Sequence, residues 1–78
     1  MEYTTEEQLK AHLMDSNEEF RRLAQEHAEC ATKVDALEAL PHPTEQEQLE
    51  ETRLKKRKLR LKDQMESILS RYRSRQVA

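Results

Sequence analysis

The 78-residue chain carries 14 Lys and Arg against 16 Asp and Glu, is 38% charged and 35% apolar, and has two Pro, one Cys and no Gly. A chain this short forms one small domain with little buried surface, and a lone cysteine rules out an intrachain disulfide as a staple. The missing glycine excludes a phosphate-cradling loop, and the scarcity of β-branched and aromatic residues argues for long helices over sheet.

The charge is polarised. Residues 1–52 hold 14 Asp and Glu against four Lys and Arg, and residues 53–78 hold two against ten, so the net charge of −2 conceals halves of −10 and +8. No apolar run approaches the roughly 20 residues that span a bilayer, and the N-terminus MEYTTEEQLK has neither the basic start nor the apolar core of a signal peptide. The expected location is the cytoplasm, where an unpartnered Cys30 stays reduced.

In chain order, Thr4 with Glu7 reads as a capping box that opens a helical segment carrying Leu9, Leu13 and Met14. Asp15, Ser16 and Asn17 are poor in a helix interior and good at caps, and Ser16 with Glu19 forms a second capping box. A heptad seam nevertheless runs through this stretch as Leu9, Leu13, Ser16, Phe20, Leu23, His27, Cys30, Val34 and Leu37, so one bent helix and two helices both fit. Pro41 and Pro43 stop the helix near Leu40. Thr44 with Glu47 is a third capping box, and Glu45, Glu47, Glu50 and Glu51 suit the positive end of the helix it opens.

That helix is expected over about 45–72, with the seam Glu47, Glu51, Leu54, Lys58, Leu61, Met65, Ile68 and Tyr72. The expected organisation is an N-terminal helical segment over 1–15, an antiparallel helical hairpin over 16–73 (helix about 17–40, loop 41–44, helix about 45–72), and a frayed tail over 74–78. A short loop makes consecutive helices antiparallel neighbours. The two seams then pair Phe20 with Met65, Leu23 with Leu61, His27 with Lys58 and Cys30 with Leu54. On one flank Glu26 faces Arg57 and Lys33 faces Glu50, and Arg22 lies near Asp63. Such exposed pairs contribute at most about 1 kcal/mol each and choose register more than they stabilise. The other flank, with Ala24, Ala28, Ala31, Leu59 and Leu69, is small and apolar and would lie open on a lone hairpin. A second copy, giving a dimeric four-helix bundle, or another protein's helix would cover it.

His27 and Cys30 share a face at a spacing that can hold a metal, but a closed zinc site needs four ligands and only His12 and His42 remain. Both residues also fall on the seam, where Cys behaves as a small hydrophobe, so no metal and no cofactor are expected. Cys30 has no orienting partners for nucleophilic work, and no enzyme or small-molecule substrate is expected. The basic run Arg53, Lys55, Lys56, Arg57, Lys58, Arg60 and Lys62 could meet phosphates, which makes nucleic acid the alternative partner. Stepped at 100° per residue, those seven point all round the helix, with no aromatic platform beside them, so a solvated face is preferred. A membrane surface is not expected, because the apolar face is used inside the hairpin.

The stretches EEFRRLAQEH (Glu18 to His27), VDALEAL (Val34 to Leu40) and LKKRKLRLKDQM (Leu54 to Met65) resemble the YdcH-like family of small uncharacterised bacterial proteins over about residues 16–70. The resemblance implies a helical hairpin or coiled coil, a bacterial cytosolic source and no established activity. Cys30 and Ala31 depart from the Leu and acidic or amide residue usual there, which loosens the seam. Asn17 and Glu18 stand where a His-Pro pair is common, which leaves the break at Ser16 open.

Overall fold

A computed structural model describes residues 5–77, with side chains as far as Ser74. Three helices follow one another: α1 (Glu6–Ser16), α2 (Glu18–Glu38) and α3 (Glu45–Val77), with no strand among the described residues. The 33 residues of α3 make a rod of about 50 Å at 1.5 Å per residue. The molecule is 51 Å long and 19 × 16 Å across, so α3 is its spine.

The first break is made by Asn17. Its backbone is extended (φ −120°, ψ 109°), its side-chain oxygen accepts from the Phe20 N–H at 2.9 Å, and its own N–H donates to the Leu13 carbonyl. One residue thus closes α1 and caps α2, satisfying backbone groups at both ends. The expected cap, Ser16, turns its hydroxyl back to the His12 carbonyl instead. Arg21 reaches across the break and donates to the carbonyls of Met14 and Asp15 at 2.8 and 3.0 Å, a positive group at the negative end of α1. At the start of α1 the cap is Thr5, which accepts from the Gln8 N–H; the expected cap, Thr4, lies outside the described residues.

The second break follows the prolines. Ala39 closes α2, and Thr44 opens α3 with a reciprocal box: the Thr44 N–H donates to Glu47 Oε1 at 2.8 Å, and the Glu47 N–H donates to Thr44 Oγ1 at 3.1 Å. α3 then runs past Tyr72 to Val77 rather than fraying at 74, since no Gly or Pro stands in its way.

Asn17 at the start of α2 meets Tyr72 (Nδ2 to OH, 3.4 Å), and Glu38 at its end meets Lys55 (3.0 Å), so α3 returns along α2 in the opposite direction. The seam pairing above would set Tyr72 and Lys55 nearer the start of α2; both contacts are displaced the same way, by at least about one helical turn. Consistent with that slide, Glu26 with Arg57, Lys33 with Glu50 and Arg22 with Asp63 form no ion pairs among the described residues; the pairs present are Lys55 with Glu38 and Glu51, and Arg73 with Glu6 and Glu66. Exposed ion pairs carry little weight in such a choice: full burial of a large aliphatic side chain is worth about 1.5–3 kcal/mol, more than an exposed ion pair.

A helix continuing straight through Asn17 would carry Glu6 about 16 Å beyond it. Glu6 instead lies 3.3 Å from Arg73, one residue past the tyrosine that touches Asn17. α1 is therefore folded back over the end of α3. Leu9 and Leu13 join Phe20, Leu23, Cys30, Leu61, Ile68 and Leu69 in one buried cluster, with Leu54, Met65 and Tyr72 packed on it.

Candidate interaction surfaces

The long apolar face of α3 meets two different environments. Where α1 lies, Leu69 is only 1% exposed; ten residues earlier, beyond the reach of α1, Leu59 is 61% exposed. The expected open strip is thus corrected at Leu69, which belongs to the intramolecular core because Leu9 and Leu13 share its cluster. Ala28 is exposed, and Ala24 and Ala31 are half-buried.

From the edge of α1 a groove of about 590 Å³ runs between α2 and α3. Its floor includes Val34, Met65 and Leu69, and Leu59 stands at its side. Its rim carries both signs: Lys10, Lys55, Lys58 and Lys62 against Asp35, Glu38 and Glu66. Lys55 bridges Glu38 at 3.0 Å and Glu51 at 3.4 Å, and the hydrogen bond it donates to Glu38, joined by the charges of both carboxylates, raises the Lys55 pKa above its ordinary 10.5. Lys10, Lys58, Lys62 and Asp35 make no ion pair among the described residues.

His27 lines the groove half-buried, and Cys30 is a free thiol inside the core. Among the described residues no three His, Cys, Asp or Glu side chains gather as a metal site would require. Among the described residues no helix is long and apolar enough to cross a membrane.

The basic run divides between two sides of α3. Lys55, Lys58 and Lys62 face the groove, while Arg53, Lys56, Arg57 and Arg60 line one shallow depression with Gln64 on the far side. The seven thus share no single face, as expected, but four of them fall within one arc of the helix. Gln64, Ser67 and Arg71 extend that arc and were missed because they lie past the end of the run; stepping 100° per residue beyond Lys62 would have found them. Lys10 carried no signal at all, because only the fold-back of α1 brings it to the groove.

A short all-helical protein, with a mixed-charge groove on one side of its spine and cations on the other, is the class this geometry defines. The chain belongs to the family described as "Protein of unknown function (DUF465)", which matches residues 20–69 and is the family of the YdcH-like proteins. No curated protein and no solved structure matches the chain. The matched span takes in most of α2 and α3 as far as Leu69, and leaves out α1.

Proposed function

We propose that the protein is a non-catalytic interaction module, in which α2 and α3 form a helical hairpin that docks with a second copy into a four-helix bundle. The observation that carries this reading is the groove: one end already accepts a helix, α1, through leucines spaced i and i+4, and the rest lies open beside an exposed Leu59. A two-fold partner presents the same patch to itself. The rim suits that arrangement, because the lysines of one copy can face Asp35 and Glu66 of the other. Another protein's helix would need an apolar stripe with charges of both signs beside it.

The polar groups at the groove suit docking: Lys55 is held at the rim by an exposed ion pair with Glu38 and a second contact to Glu51. The same reading puts the protein in the bacterial cytoplasm, where a lone buried thiol stays reduced.

Sedimentation velocity over about 5–200 µM is the test. A dimer is expected at the upper end, reduced at least about tenfold in affinity by Leu59→Glu, with the helical circular dichroism of the monomer intact. A well-folded wild-type monomer throughout contradicts the self-docking reading.

A further inference from the structure

The side of α3 turned away from the groove carries a basic stripe with no structural work to do. At 100° per residue, Arg53, Lys56, Arg57, Arg60 and Arg71 fall within about 100° of the helix circumference, over about 27 Å of its length. Gln64 and Ser67 lie in the same arc. All seven are exposed, and none makes an ion pair or a side-chain hydrogen bond among the described residues. No carboxylate stands in the arc; Glu50 and Asp63 border it, and neither reaches a cation of the stripe. In a chain whose net charge is −2, five unneutralised cations aligned on a straight helix are an uncompensated field that attracts a polyanion.

We propose that this stripe is a nucleic-acid backbone site that holds the phosphates of duplex DNA without reading sequence. Four of the five cations are arginines, whose planar fork binds phosphate oxygens in pairs, and Gln64 and Ser67 add neutral donors between them. Phosphates follow one another closely enough along a duplex for a 27 Å row of cations, about the length just given, to meet several at once. The stripe has no wedge or aromatic side chain for reading bases, so binding is of the positioning kind. It also has no row of large apolar residues between its cations to enter a bilayer, which sets it apart from an amphipathic membrane helix. The groove is on the opposite side of α3, so a chain docked there leaves the stripe open, and this site stands or falls independently of self-association.

The test is fluorescence anisotropy of a labelled random duplex of about 20 base pairs at about 50 mM salt, followed by a salt titration. Micromolar binding is expected, with a log–log salt slope of about −4.5 for five phosphate contacts. The triple variant Arg53→Gln, Arg57→Gln, Arg60→Gln should bind at least about tenfold more weakly and flatten the slope by about two to three. The charge-matched groove variant Lys55→Gln, Lys58→Gln, Lys62→Gln should stay within about threefold of wild type. Circular dichroism reports whether each variant keeps its helices; should the arginine triple lose them, Arg57→Gln alone must still lower the slope by about one. Equal losses in both triples, no duplex binding, or binding of vesicles with about 30% phosphatidylglycerol in preference to the duplex would overturn the proposal.

Discussion

Leu59 and Leu69 are the same residue type on the same helix, about 15 Å apart, yet one is 61% exposed and the other 1%. The difference is α1. At the end where it folds back, three helices contribute Leu9, Leu13, Phe20, Ile68 and Leu69, each about 1% exposed or less, and Arg73 ties Glu6 to Glu66. At the loop end only two helices meet, their seam positions include Glu47 and Glu51, and the closing contact is the exposed bridge from Lys55 to Glu38. The molecule is thus a packed core at one end and a pair of helices with a half-open groove at the other. A third helix converts an interaction surface into a core.

The comparison can be broken most sharply by truncating the two leucines. Leu69→Ala should cost about 2–5 kcal/mol in denaturant unfolding, the range for buried leucines, whereas Leu59→Ala should change stability by less than about 0.5 kcal/mol at low micromolar concentration. Equal effects would mean the two ends are not differently packed. Next in size, Asn17→Ala should cost about 1 kcal/mol, because it uncaps α2 and loosens the fold-back together, with faster amide exchange in α1 as its signature. Thr44→Ala should cost about as much as a typical cap, up to about 1 kcal/mol, but its exchange signature should be confined to the first turn of α3. The smallest effect belongs to Lys55. Its pKa is raised in the folded chain, so the bridge contributes in full below the ordinary lysine value and is lost only as pH rises through the raised one. Stability measured from pH 6 to 9 should therefore be the same in Lys55→Gln and wild type in its dependence on pH, with the wild type falling faster only above about 10.5.

Much of the chain was legible from residue types. Pro41 and Pro43 mark the turn, Thr44 and Glu47 form their box in both directions, and Phe20, Leu23, Cys30 and Val34 are buried where the seam puts them. What escaped was set by tertiary contact. Ser16 and Asn17 are both able caps, and Asn17 prevails because its amide also reaches Tyr72. A heptad seam keeps its spacing through a fold-back as well as through a straight helix, so Leu9 and Leu13 announce burial but not against what. The shifted register shows only in tertiary contacts, Asn17 with Tyr72 and Glu38 with Lys55, which the seam spacing alone does not contain. The two-sided split of the basic run lay in the 3.6-residue period, but the run drew attention to its own ten residues and away from Arg71.

The claim that all of this rests on is the return of α1 across the end of α3. Methyl nuclear Overhauser contacts, recorded on selectively labelled chain diluted to the monomer, test it directly. The account predicts cross-peaks joining the methyls of Leu9 or Leu13 to those of Ile68 or Leu69. Cross-peaks confined within α1, with Leu9 methyls at solvent-exposed shifts, would contradict it and would leave Leu69 as open as Leu59.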